Sequence, residues 1–505
     1  MNLPVLLPIF VLLSSLLPSL VIFGLSDRQA RLRRWLYLGA EILKLLLVIL
    51  MAQRIAAGEV YETRVPLLPG IDLLLRANAL ALFFLILSAG LWLLTTIYAL
   101  GYMGDGPHQS RFYGFFGLCV TATAGIAMAG NLLTFFFFYE ILTLVTYPLV
   151  VHRQSAEALR AGRIYLRYAI TGGTVFLAGV IWLQVLAGSV EFTEGGVLAQ
   201  FEDQRVALIA IFALLIAGLG VKTALVPLHG WLPAAMVAPA PVSALLHAVA
   251  VVKAGAFGVL RVVYEVYGID VAQRLGVLTP LALVAAVTIL FGSIMALQQD
   301  ELKKRLAYST VSQLGYITLG VAIVGPASSI GGIVHLVHHG IMKITLFFCA
   351  GVLAKTLGIY RISQMDGVAR RLPATMTAFT LAALGMMGLP PLAGFISKWY
   401  LGLGAADAGL VWPIGVLILS TLLNAAYFLP IVLAAWFRAP VAPFSEHGPP
   451  TRFEAKATLL FPPLVTGALA LLVGVLASTD LSPLRWVILI TELELPYYPP
   501  QEFVP

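Results

Sequence analysis

Eight side chains that carry or lose a proton fall inside runs that are otherwise apolar: Glu140, Lys222, His247, Lys253, His335, His339, Lys343 and Lys398. A lysine at the centre of a membrane span costs about 2.5–3.5 kcal/mol on insertion scales, so such residues are kept for a reason. The chemistry open to them is proton transfer. The charge of a desolvated lysine responds to its neighbours, histidine titrates near neutral pH, and interacting groups shift one another's proton affinity.

Spacing sharpens this. Glu140 lies in NLLTFFFFYEILTLVTYPLVV and needs a cation or a proton. Lys222, the nearest basic residue of similar depth on a neighbouring span, is its expected partner. Lys253 follows His247 by six residues. In IVHLVHHGIMKITLFFCAG, His335, His339 and Lys343 recur at i, i+4 and i+8 and so share one helix face, with His338 about 100° away. No carboxylate or cysteine at matching spacing supports a metal site there, and Lys343 on the same stripe would repel a cation. Two other groups read as local. Glu41 and Lys44 are three residues apart on one face and predict an ion pair or a contact with another subunit. His229, in PLHGWLP, is expected to cap or bridge unwound backbone.

The elements that hold these groups follow from the prolines. Pro227, Pro233, Pro239 and Pro241 lie between Lys222 and Lys253, and Pro390-Pro391 precede Lys398. Proline removes a backbone donor and clashes with the previous turn. The sequence therefore predicts broken helices at Pro227 and Pro233 and again at Pro390 and Pro391. Non-helical backbone at membrane depth is tolerated only inside protein or along a watery cavity. Broken segments in corresponding positions of two halves point to an inverted repeat with a midplane site.

The 505 residues are 60% hydrophobic and 11% charged, with a mean hydropathy of +0.95. The predicted class is an all-α polytopic membrane protein. About fourteen apolar spans are expected near 3–24, 35–53, 77–100, 112–130, 132–151, 164–187, 206–227, 240–263, 278–297, 307–324, 329–353, 374–401, 411–436 and 458–477. The first lacks a basic flank and a small-residue cleavage site, so it reads as a retained span. The tail LSPLRWVILITELELPYYPPQEFVP is expected along the membrane surface or against a neighbour. The net charge of +7 sits in short loops and does not describe a nucleic-acid partner. Arginine and lysine concentrate in the odd-numbered loops, after spans 1, 5, 9, 11 and 13, which places those loops in the cytoplasm and both termini outside. Cys119 and Cys349 lie in different apolar runs and read as inert buried thiols.

Five stretches, in this order, carry a resemblance: FFFFYEILTLVTYPL, VKTALVPLHGWLPAAMVAPAPVSALLHAVAVVKAGAFGVLR, DELKKRLAYSTVSQLGYI, HLVHHGIMKITLFF and GLPPLAGFISKW. Over roughly residues 75–440 the chain resembles the antiporter-like subunits of respiratory complex I and of the Mrp-type sodium/proton antiporters, most of all the D-type Mrp subunits. The resemblance implies fourteen helices in four parts: N-terminal helices over 1–110, a first inverted five-helix repeat over 111–265, a second over 276–437, and a last helix with its tail over 438–505. It implies that Glu140, Lys222, Lys253, His335, His339, Lys343 and Lys398 occupy the family's proton-path positions. It further implies an inner-membrane component of a hetero-oligomer, in contact with lipid and other membrane subunits, that moves protons, with sodium as the exchanged cation, and holds no cofactor or redox centre of its own. One complex I subunit has glutamate at the position of Lys398, and another, like its Mrp counterpart, carries a long lateral helix; both features set this chain apart. The remaining alternatives are a subunit of a proton-pumping dehydrogenase or hydrogenase, an energy-coupling subunit of an inorganic-carbon uptake complex, and a structural scaffold.

Overall fold

Backbone N–H and C=O groups have no water to bind in hydrocarbon, so long apolar segments must satisfy them internally, as helices. The computed structural model describes residues 3–55, 59–69, 71–104, 106–440, 443–444 and 453–494. The helices run in chain order: α1 (Leu3–Phe23), α2 (Ala30–Ile55), α3 (Ala79–Met103), α4 (Gln109–Ala127), α5 (Leu132–Val150), α6 (Ala156–Ala187), α7 (Arg205–Thr223), α8 (Trp231–Ala234), α9 (Ala240–Ala248), α10 (Val251–Arg261), α11 (Ile269–Leu275), α12 (Leu278–Leu297), α13 (Leu302–Ala322), α14 (Pro326–Leu357), α15 (Pro373–Met387), α16 (Ala393–Asp407), α17 (Val411–Phe437), α18 (Ala457–Val475) and α19 (Pro483–Glu494).

Every expected span falls on helix. Among the described residues, eleven helices are long and apolar enough to cross a membrane, with α9 and α10 counted together. The other three expected spans are α4, diluted by Gly, Thr and Ser; α13, which opens with Lys303, Lys304 and Arg305; and the interrupted pair α15–α16. The bases Lys303 and Arg305, expected in a loop, thus belong to the first turn of α13. Lys303 Nζ donates to the carbonyls of Met236 and Ala238, both at 2.6 Å, and Arg305 donates to those of Gln299 and Tyr427, both at 2.9 Å.

The core follows α14. All of its residues from Ala327 to Leu353 are buried, whereas α2 and α6 show lipid a broad apolar face. Small residues permit the closest approaches. A Cβ on Gly320 of α13 would lie 2.6 Å from Gly332 Cα of α14, so the two backbones touch there.

Between α2 and α3, where the sequence predicts only a connection, residues Tyr61–Leu68 (β1) and Ile71–Ala77 (β2) pair as an antiparallel hairpin. Its Arg64 and Arg76 are neutralised by Glu62, Asp72 and Glu191. Beneath it lies a buried ion pair, Arg261–Glu265, each residue 2% exposed, at the start of a π-helical segment Val262–Tyr267. Glu265 also accepts from Asn78, the residue that caps α3 by accepting from Ala81 N–H. The tail helix α19 folds against the chain's own α3, where Trp486 Nε1 donates to Ala79 O at 3.1 Å. Residues 495–505 of the predicted tail lie outside the described residues.

Arg261→Met leaves Glu265 buried without its cation. The variant is expected to lose about 3–5 kcal/mol of stability, read as a lower thermal midpoint in detergent, and Arg261→Met/Glu265→Leu is expected to recover most of it.

Candidate functional site

The first predicted break is real but differs in cause and extent. Helix α7 ends one residue after Lys222, where Ala224 takes a left-handed conformation (φ 56). Non-helical backbone runs on through Pro227 to Gly230, and Pro233 sits inside the short helix α8 rather than breaking one. Proline is tolerated in the first turn of a helix, which is the place Pro233 takes. The freed Val221 carbonyl accepts Trp231 Nε1 at 2.6 Å, and Val226 N–H donates to Thr288 Oγ1 at 3.0 Å. His229 does not cap this segment; its ring packs on Phe291, 4.8 Å between centroids.

A second break was not expected. Residues 240–263, predicted as one helix, part into α9 and α10 at Val249 and Ala250, whose dihedrals leave the helical region. His247 stands just before this gap and Lys253 just after it. The predicted second interruption appears as well: α15 ends at Met387, Gly388 is left-handed (φ 91), and Pro390 and Pro391 lie in the gap before α16. The gap is packed tightly, since a Cβ on Gly394 would meet Gly385 O at 1.9 Å.

The expected contact between Glu140 and Lys222 is absent. Lys222, 1% exposed, points its ammonium at the carbonyl of Tyr139 and lies over that ring, 3.3 Å from the centroid. Glu140 is half-buried on the adjacent α5 position, against Gly173 of α6, and its Oε1 has no protein partner. An aromatic face plus a carbonyl meets the needs of the ammonium group without a direct carboxylate contact, and Glu140 stays within its electrostatic reach.

The other predicted groups come together around α14. Lys253 Nζ lies 2.8 Å from His339 Nδ1. The rings of His339 and His335 stack at 5.8 Å, and His335 reaches Ser397 Oγ at 2.7 Å and Gln313 Oε1 at 3.0 Å. His247, Lys253, His335, His339 and Lys343 are all fully buried. His338, round the helix, makes none of these contacts.

A second line of hydrogen bonds starts from His247. Its Nδ1 lies 2.9 Å from Thr310 Oγ1, which donates to Leu306 O at 3.0 Å. The same carbonyl accepts Lys343 Nζ at 3.3 Å, and Lys343 also donates to Ser309 Oγ at 2.9 Å. Ser309 meets Tyr427 OH at 3.0 Å, and Tyr427 donates to Asn424, whose amide donates to Met386 O at 3.3 Å. Lys398 Nζ closes the line, at 3.1 Å from Met386 O and 2.8 Å from Met387 O, with Thr421 Oγ1 at 3.3 Å. Lys398 therefore turns inward, onto the carbonyls that end α15, where the helix carries partial negative charge.

Thr310, Ser309, Tyr427 and Asn424 are the links that sequence reasoning missed. Hydroxyl and amide side chains are common in membrane helices, and nothing in their spacing marks them. Only Tyr427 and Asn424, three apart on α17, gave a faint signal as polar neighbours in an apolar run.

Residues 129–424, which hold all eight predicted groups, match the family described as "NADH:quinone oxidoreductase/Mrp antiporter, TM". The chain belongs to this family. Within the NADH:quinone oxidoreductase/Mrp antiporter family it is 37% identical over 445 residues to an NADH-quinone oxidoreductase subunit N from Desulforudis audaxviator (strain MP104C), covering 84% of this chain and 86% of that one. It is 28% identical over 403 residues to the D component of a Na(+)/H(+) antiporter from Bacillus subtilis (strain 168), covering 80% of each. A chain of the solved Mrp complex from Dietzia sp. DQ12-45-1b has the same fold, with a TM-score of 0.85 at 24% identity over 97% of this chain and 98% of that one.

Tyr427→Phe removes the hydroxyl between Ser309 and Asn424. It is expected to cost about 1–3 kcal/mol of stability and to slow proton movement across reconstituted membranes several-fold, while Leu429→Ala, on the exposed face of the same helix, leaves the rate unchanged.

Proposed function

We propose that this multi-pass membrane protein is a proton-translocating subunit of a multisubunit monovalent cation/proton antiporter, of the D type found in Mrp complexes. The observation that carries the reading is the unbroken line of hydrogen bonds from His247 through Lys343 to Lys398, which joins the α9–α10 gap to the α15–α16 gap. The hydroxyl links polarise one another and can hand a proton on, whereas the Leu306 and Met386 carbonyls each accept from two side-chain donors, so a proton crosses at those two points by movement of a lysine ammonium or through water. A structural scaffold has no use for five buried bases held side by side, because apolar residues of similar volume are as stable or more so.

Protons enter near the α7–α8 and α9–α10 gaps, charge Lys222 and Lys253, pass His339, His335 and Lys343, and leave by Lys398. Glu140 acts on Lys222 electrostatically, from the neighbouring position, and so sets its proton affinity. Lys253 meets His339 directly, while the step from Lys222 to Lys253 is made by proximity and water; among the described residues Nε2 of both His247 and His339 is buried without a protein partner, and a water is the partner such an atom takes. The two inverted repeats, over 111–265 and 276–437, place a gap in each half. The reading places the chain in the inner membrane, and the loop charges support both termini outside.

A second reading is favoured by the higher identity to the NADH-quinone oxidoreductase relative: a proton-pumping membrane subunit of such an oxidoreductase. The same path would then be driven by redox chemistry in partner subunits.

Glu140→Ala and Lys222→Ala, in everted vesicles holding the assembled complex, are expected to abolish cation-driven proton movement with assembly intact; wild-type rates in both refute the path. Proton uptake driven by NADH and not by a sodium gradient selects the second reading.

A further inference from the structure

A second buried acid and base lie outside this row. Glu41 and Lys44 on α2 are each 1% exposed, although the same helix turns Ile42, Leu43 and Leu46 to the outside. They lie in each other's electrostatic reach without a direct hydrogen bond among the described residues, and their burial keeps both off any subunit surface. Lys44 donates instead to Ser15 Oγ of α1, and Ser15 bonds Thr121 Oγ1 of α4 at 2.7 Å. Neither carboxylate oxygen of Glu41 has a partner among the described residues. A carboxylate in hydrocarbon needs a cation or a proton. Lys44, bonded to Ser15, acts on Glu41 through space and leaves both carboxyl oxygens free to take a proton.

This acid is not isolated from the row. Tyr37, one turn before Glu41, lies in the electrostatic reach of both Glu41 and Cys119, and its ring packs on Tyr113, 5.3 Å between centroids. Cys119 Sγ meets Thr146 Oγ1 of α5 at 3.5 Å. On α5 the polar residues Tyr139, Thr143 and Thr146 recur at i, i+4 and i+7, so they share one face. Thr143 Oγ1 donates to Tyr139 O at 3.2 Å, and that carbonyl is the one that accepts Lys222. Tyr165 OH, from α6, donates to Thr143 O at 3.2 Å. Polar atoms therefore lead from Glu41 to the ammonium of Lys222.

We propose that Glu41, beside Lys44, is a second proton-binding site, joined to Lys222 through Tyr37, Cys119 and the polar face of α5. Taking up a proton turns the Glu41 carboxylate into a neutral acid next to an ammonium group, and giving it up restores a zwitterionic pair. The groups in its electrostatic reach are Tyr37 and Lys44 on α2; around those two stand Tyr113 and Cys119 on α4, Ser15 on α1 and Trp92 on α3, whose Nε1 donates to Tyr37 OH at 3.4 Å. None of them is a second carboxylate.

The test is pH-difference infrared spectroscopy on the purified full chain in lipid, with proton flux measured on the same preparation. Wild type and Glu140→Gln are expected to show a protonated-carboxyl band that Glu41→Gln loses, and Glu41→Gln is expected to slow flux several-fold and shift its pH profile. Glu41→Asp, which keeps the acid, is expected to keep the band and most of the flux, which separates proton binding from a folding defect. A spectrum unchanged by Glu41→Gln, or wild-type flux and pH profile in that variant, overturns the proposal. Wild-type flux in Glu140→Gln with a slowed Glu41→Gln counts against the transport row and leaves this site standing.

Discussion

An ammonium group in hydrocarbon must find oxygen or a ring face, and most carbonyls of an intact helix are already engaged by its own N–H groups. Each helix end leaves carbonyls without intrahelical partners. Two of the chain's half-buried lysines go to such ends. Lys398 takes the last carbonyls of α15, and Lys303 takes those of the turn that follows α8. Lys222 sits in the final turn of α7 and borrows a carbonyl and a ring from α5. The breaks thus supply the carbonyls that keep Lys398 and Lys303 inside, while Lys253 relies on His339 and Lys343 on Leu306 O and Ser309 of α13.

That condition also arranges the site. With its backbone demands met locally, each lysine leaves the neighbouring hydroxyls and imidazoles free to bond one another. Lys343 is the junction: it shares the Leu306 carbonyl with Thr310 and the Ser309 hydroxyl with Tyr427, so the His247 side and the Lys398 side of the row meet at one ammonium. Burial does the rest, because the groups have no bulk water to trade with and respond chiefly to one another's charge.

Much of this is legible in the sequence. Ionisable residues in apolar runs, prolines beside two of them and histidines at helical spacing were enough to place every group of the row on its helix. Three things were not. The gap at Val249–Ala250 has neither proline nor glycine, so it is imposed by packing rather than by local preference. Lys222 keeps Glu140 as an electrostatic neighbour, but its direct contacts were not legible, because opposite charge is the obvious choice, whereas a carbonyl and an aromatic face do as well in a buried site. The hairpin β1–β2 hides in a stretch whose charges resemble an ordinary loop until Arg64 and Arg76 are seen to meet Glu191 from far along the chain. Long-range contacts of that kind leave no periodic trace.

The central claim is that a connected row of titratable groups crosses the protein between its helix gaps. A high-resolution map of the assembled chain in lipid, good enough to place ordered water, tests it most directly. The account predicts water bound at Nε2 of His247 and of His339, with further waters joining Lys222 to Lys253. Dry apolar packing around those atoms, with Lys222 sealed from Lys253, would contradict it.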